Sequence, residues 1–375
     1  MKHSSSSNLN IYNSKRKRGN SRRRNFVVVC LFICMLCVIL DVVLVTKLLG
    51  KNKKPAKVTD PSEVMTDESG NVISDPSSDS SDPSSETSET TPRVQTVDAE
   101  TRAANLAATN TNIADYLGKQ SGRYAMYYIN MINGETMSYK ADSPMVAASS
   151  IKIAFNTYLY EKVEAGEITL DEKMAYNAAL YPNGDLETGT GTIQNSADGT
   201  EYSLQEVSHL SITISDNCAT NMILRRLGGS DAVNNDFLRP ISCVVDYRAS
   251  VSYTDYTGAT SSGKNRTSAT DLAKYAAHLY EDFSNNPTVY QPLIDDLSNT
   301  AYNWGVPGGV PSTVQVAHKV GFNPDYGAYN DVAIVFASED YALCVLCESG
   351  SESKSHEIIA EVSRMVYEYV ESNYA

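Results

Sequence analysis

The residues that most limit what this chain can fold into are FVVVCLFICMLCVIL, residues 26–40, an unbroken apolar run that Asp41 interrupts and VVLV, residues 42–45, resumes. Together they approach the ~20 residues a helix needs to cross a bilayer. KRKR at 15–18 and RRR at 22–24 precede the run, and flanks this basic mark the cytoplasmic side. The expectation is a basic cytoplasmic tail over 1–25, a single uncleaved transmembrane anchor over 26–48, and an extracytoplasmic remainder. A cleaved signal peptide is the competing reading. The run is long for one, and TKLLGKNKKP, which follows it, offers no small-x-small cleavage site. Cys37 raises a lipoprotein, but Leu36 stands where a small residue would be needed.

Charge separates along the same boundary. Residues 1–57 hold 13 Lys and Arg against one acid, a balance of +12, so a chain of net −14 carries −26 in the rest. An acidic exported part excludes nucleic acid as a partner, because phosphate binding needs basic surface. DPSSDSSDPSSETSETTP, residues 75–92, has almost no apolar side chains. It cannot bury enough surface to offset ordering, so 49–100 reads as an acidic, extended linker.

A folded domain is expected over 101–375. NIADYLGKQ (112–120) reads as a helix, and RYAMYYINMINGETMSYK (123–140) as a hairpin turning at Asn133-Gly134. Ile151, Phe155, Leu159 and Val163 have helical spacing, with Gly166 as a stop. Residues 203–215 and 217–229 read as helices broken at Asp216, and 267–283 as a helix capped by Thr267 or Ser268. Strands follow at 314–322, 329–338 and 341–349, then an amphipathic helix at 356–372. Strands segregated at the two ends of the domain with helices between them give an α+β fold, an antiparallel sheet built from both chain ends plus a helical subdomain.

Three short motifs could carry chemistry. Ser149 and Lys152 in MVAASSIKIAF are three apart and share a helix face. A serine needs a base to become a nucleophile, and a lysine serves if its pKa is lowered. A polar cap beginning a helix would look the same. Ser215-Asp216-Asn217 interrupts an apolar helical stretch. It is either a capped helix junction or a hydroxyl and an amide presented to a substrate. Lys319-Val320-Gly321 lies in the strand-like VQVAHKVGF. It is either an edge strand with an outward lysine or a cleft lysine beside a glycine that lets a ligand approach the backbone.

In this order the three motifs resemble those of the class A β-lactamases and their penicillin-binding relatives: Ser-x-x-Lys, Ser-Asp-Asn and Lys-Thr/Ser-Gly. AASSIKIAF, ITISDNCATNMILRRLGG, RTSATDLAKYAAHLY and VAHKVGF followed by NDVAIVF carry the likeness across about 101–375. The resemblance implies a serine β-lactamase-like fold. It makes Ser149 the acylated nucleophile, Lys152 its base and Ser215 a proton relay, with Asp216 holding the loop. It gives substrate binding to Asn217, Lys319, Gly321 and Phe322, with the Ser149 and Phe322 N–H groups forming an oxyanion hole.

Two departures bear on activity. Val320 stands where the family has a hydroxyl, whose loss removes a hydrogen bond to the substrate carboxylate worth ~1.5–3 kcal/mol. The family's deacylating loop glutamate, in a Glu-x-x-Leu-Asn pattern, has no counterpart: no glutamate occurs between Glu206 and Glu281, and Asp246 and Asp255 do not fit the pattern.

The functional expectation is a membrane-anchored serine hydrolase acting on β-lactam-type amides through an acyl-serine. The alternatives are a D-alanyl-D-alanine carboxypeptidase or related wall amidase or esterase, and a non-catalytic wall-binding module. The partners implied are a β-lactam or D-Ala-D-Ala-like peptide and the membrane, with a monomeric catalytic domain. No cofactor is called for, since the five histidines show no metal-ligand spacing. Cys344-Val-Leu-Cys347 reads as packed strand thiols, and a Cys218–Cys243 disulfide is left open.

Overall fold

The computed structural model describes residues 95–374. The expected cytoplasmic tail over 1–25, the expected anchor over 26–48 and most of the expected linker over 49–100 lie outside the described residues; among the described residues, no helix is long and apolar enough to cross a membrane.

The domain opens with α1 (Ala99–Gly118), which Asp98 caps by accepting from the Thr101 N–H at 2.8 Å. This helix begins well ahead of the expected residue 112. Its first half lacks an apolar stripe and is fastened instead by Arg102, which is buried and paired with Glu135 at 2.7 Å and Glu339 at 2.5 Å. Then come β1 (Arg123–Asn130) and β2 (Thr136–Tyr139), a hairpin turning at Asn133-Gly134 as expected.

Next is α2 (Lys152–Glu164), ended near Gly166, whose φ of +70° suits a residue without a Cβ. Every residue from Lys152 to Tyr160 is buried, so the single apolar stripe expected from spacing is incomplete. The helix runs between two cores and is covered on all sides. Its polar members are satisfied: Asn156 donates to the Lys152 carbonyl at 2.8 Å and accepts from Ser208 at 2.9 Å.

α3 (Leu204–Thr213) and α4 (Asn217–Arg226) pack with α2 around Leu159, Val207, Met222 and Ile223 to form the helical subdomain. α5 (Ala269–Asn285), capped by Ser268, and α6 (Pro287–Ser298) follow. Three strands close the sheet: β3 (Gln315–Asn323), β4 (Ala328–Phe336) and β5 (Tyr341–Glu348). α7 (Glu352–Glu371) ends the domain.

The five-stranded antiparallel sheet has the order β2-β1-β5-β4-β3, so its centre joins strands from the two ends of the domain, with Tyr127 opposite Cys344. Leu343, Val345 and Cys347 face α1 and α7, while Ala342, Cys344 and Leu346 face α2 and α5. Burial on both faces explains why β5 reads as one apolar run. Cys344 and Cys347 are packed thiols, and Cys218 and Cys243 are also free, which removes the disulfide left open above.

Candidate active site

Ser149 sits in a single 3-10 turn, Ala148–Ile151, directly ahead of α2. The turn is entered through Ala148 at φ 47°, a left-handed conformation that costs a residue with a Cβ about 1–3 kcal/mol and persists only where surroundings enforce it. The sheet supplies that enforcement. Asn330 on β4 donates to the carbonyls of Val146 at 2.7 Å and Ala147 at 3.3 Å, and Glu348 on β5 accepts from the Val146 N–H at 2.9 Å. Gly321, opposite Asn330 in register, lies against the turn itself. A Cβ there would stand 2.4 Å from the Ser150 nitrogen and 2.9 Å from that of Ser149. The glycine was expected to admit a ligand; what it admits is the backbone of the serine's own turn.

Lys152, the first residue of α2, is buried. Its Nζ donates to the Ser215 carbonyl at 2.7 Å, to Ser215 Oγ at 3.3 Å and to Asn217 Oδ1 at 2.9 Å. Burial pulls its pKa down to about 7, against the opposing charges of Asp216 and Glu187. An amine poised there exchanges protons near neutrality, as acid–base work requires.

Ser215 holds its place at φ 56° between α3 and α4. Asp216 caps α4 through the Ala219 N–H at 2.9 Å, and its other oxygen accepts from the Thr192 and Ile193 N–H groups at 2.6 and 2.9 Å. The turn and the preceding loop are therefore one unit.

Ser149, Lys152, Asn217 and Phe322 line one cavity of about 540 Å³, a size typical of small-ligand sites. Lys319 does not line it. Although β3 is an edge strand, Lys319 is wholly buried, donates to the Val320 carbonyl at 3.0 Å, and is pushed well below its ordinary pKa by burial and by the charge of Lys152. The outward-lysine reading is excluded, and Lys319 stands behind the site beside Lys152. Ser215 and Gly321 are not among the lining residues either, but Ser215 Oγ lies 3.3 Å from Lys152 Nζ and Gly321 lies against the Ser149 turn. Val320 is buried, so the missing hydroxyl is not replaced by an open gap in the wall. His318, next to Lys319 on β3, is buried with Asp331 at 3.0 Å.

Several lining residues escaped the sequence reading: Glu187, Asn221, Arg248, Lys264 and Arg266. Arg248 is tied to Asp231 at 2.7 Å, Arg266 is buried against Tyr253 at 2.5 Å, and Lys264 is exposed. They arrive on loops whose course only the fold reveals. Asn330 was missed because nothing distinguishes it from its strand neighbours. A signal did exist for Glu187, an acid in the glycine-rich DLETGTGT, residues 185–192, upstream of the Ser-Asp-Asn triplet.

A two-part α+β domain with a serine one turn ahead of a buried lysine, and that lysine bonded to a Ser-Asp-Asn turn, defines a β-lactamase-like serine hydrolase. The chain belongs to the beta-lactamase enzyme family, whose model matches residues 108–370. It is 26% identical over 260 residues to "Beta-lactamase SME-1" of Serratia marcescens, covering 67% of this chain and 85% of that protein. Among solved structures it is similar to PBP-A, with 27% identity, a TM-score of 0.61, and coverage of 71% of this chain and 97% of that one. A mutant of PBP-A, 26% identical with a TM-score of 0.60 over the same shares of both chains, is described as an acyl-enzyme complex with penicillin G.

Proposed function

We propose that the protein hydrolyses β-lactam-type amides through an acyl-enzyme on Ser149. The observation that carries this is the placement of Lys152 Nζ, buried, near-neutral in pKa and bonded to both Ser215 and Asn217, at the floor of the cavity that Ser149 lines. Lys152 takes the Ser149 proton as Oγ attacks the carbonyl carbon. The carbonyl oxygen is received by the Ser149 and Phe322 N–H groups, Asn217 holds the substrate amide, and Ser215 passes a proton to the leaving nitrogen. Lys264, Arg248 and Arg266 supply the basic wall for a substrate carboxylate.

A D-alanyl-D-alanine carboxypeptidase is the second reading, favoured by the absence of a glutamate in the family's deacylating pattern. The apolar run at 26–45 and its basic flank support an anchored protein with its catalytic domain outside the cytoplasm.

Intact-protein mass spectrometry with a penicillin and with a D-Ala-D-Ala peptide tests the proposal. A penicilloyl adduct that turns over and disappears in Ser149→Ala supports β-lactam hydrolysis. Turnover of the peptide with a long-lived penicillin adduct selects the carboxypeptidase. No adduct and no hydrolysis with either removes both. Retention of the full chain in membranes through an alkaline wash tests the anchor.

A further inference from the structure

The cavity holds a carboxylate that the three motifs leave without a task. Glu187 is the one acid among the lining residues. Its Oε2 accepts from Asn221 Nδ2 at 3.0 Å. Asn221 lies one turn beyond Asn217 on α4, and Asn217 Oδ1 in turn accepts from Lys152 at 2.9 Å. Two neighbouring amides of one helix therefore hold the carboxylate and the amine on the same wall. The charge of Glu187 is felt at Lys152, where it opposes the effect of burial.

The backbone of Glu187 is clamped as well. Its N–H donates to Cys218 Sγ at 3.5 Å, and the Cys218 thiol donates to its carbonyl at 3.5 Å. Two residues earlier, buried Asp185 takes both arms of Arg225 at 2.9 Å. Three residues later, Thr190 donates to the Ser215 carbonyl at 2.6 Å. The segment is fixed on both sides of Glu187, and the side chain remains open to water in the cavity.

We propose that Glu187 is the general base of deacylation, supplied from the loop ahead of the Ser-Asp-Asn turn. This rests on Ser149 forming an acyl-enzyme. The Glu187 carboxylate takes a proton from a cavity water as the water oxygen bonds to the acyl carbonyl carbon, whose π pair moves onto the carbonyl oxygen. As that pair returns, the bond from carbon to Ser149 Oγ breaks, and the proton held by Glu187 is handed back to Oγ. One water is consumed, a carboxylic acid leaves, and the free serine is restored.

The test is a comparison of wild type with Glu187→Gln by time-resolved intact-mass measurement with a penicillin. The expected result is acylation within about threefold of wild type and adduct decay slower by about 10²–10⁴-fold, the usual contribution of a general base. Hydroxylamine attacks without a base and should clear the adduct from both proteins at similar rates. Asn221→Ala should slow decay in the wild-type background and add nothing to Glu187→Gln. Decay of the Glu187→Gln adduct at the wild-type rate overturns the proposal. So does an adduct that hydroxylamine clears only from wild type, since that marks a distorted site. Absence of an adduct from both proteins strikes the acyl-serine reading itself, and so separates the two failures.

Discussion

Replacing Gly321 by alanine tests the close approach between β3 and the serine's turn. The new Cβ would lie 2.4 Å from the Ser150 nitrogen, 2.9 Å from the Ser149 nitrogen and 3.0 Å from the Ala147 carbonyl, where ordinary contact begins at 3.4 Å. All three obstacles are backbone atoms, so no rotamer change relieves them. The strand and the turn must part by about 1 Å, as the difference from 3.4 Å requires. Overpacking of this kind costs about 1–3 kcal/mol, which at about 2–4 °C per kcal/mol for a domain near this size lowers Tm by several degrees. The larger effect falls on chemistry. The displaced atoms include the Ser149 N–H, and losing one oxyanion donor costs about 10²–10³-fold. Acylation by a chromogenic β-lactam in stopped flow, with melting followed in parallel, reads both quantities. A Gly321→Ala protein that acylates within threefold of wild type and melts at the same temperature would refute the placement of this strand against the nucleophile.

The other expectations concern protonation and packing. With Lys152 near 7, the acylation rate should rise with pH to a plateau through a midpoint close to neutrality. Lys152→Ala should lose about 10²–10⁴-fold, as a pH–rate profile would show. Arg102 is buried between Glu135 and Glu339, so Arg102→Ala leaves two partly buried carboxylates without their partner and should cost about 3–5 kcal/mol in chemical denaturation. Away from the cavity, His278 meets Glu161 at 2.6 Å and Asp282 at 3.7 Å. Burial raises Asp282 to about 6, and the Glu161 hydrogen bond raises His278. A raised carboxyl favours the folded state while protonated, and a raised histidine favours it while charged, so both contributions fade as pH climbs from about 4 to above 7. Asp282→Asn should flatten that decline in Tm.

Regular elements were legible wherever the pattern had one cause. The Asn133-Gly134 hairpin, the break at Asp216 and the three final strands follow from turn chemistry and apolar runs. α1 was only half visible because a buried ion pair, not an apolar stripe, fastens its first turns. The order of the three motifs identified Ser149, Lys152 and the Ser215–Asn217 turn, and the fold brings them together. Lys319, left open between an outward edge-strand lysine and a cleft lysine, is buried because the 3-10 turn covers the edge strand. The stretch after the Ser-Asp-Asn triplet holds no glutamate up to Glu281. Glu187 comes before the triplet and reaches the cavity only because Asp216 ties the two segments into one body.

The supports of the serine's turn set the order in which the molecule can come into being. Asn330, which props Val146, lies 184 residues further along the chain, and Glu348, which takes the Val146 N–H, lies 202 residues further. The central pair of the sheet, β1 with β5, closes over a similar span. Contacts so remote in sequence form late. During synthesis Ser149 emerges long before anything can hold it in its left-handed entry, so the nascent chain carries the serine without the site. The turn that carries Ser149 is therefore set only once the last strand has joined the sheet.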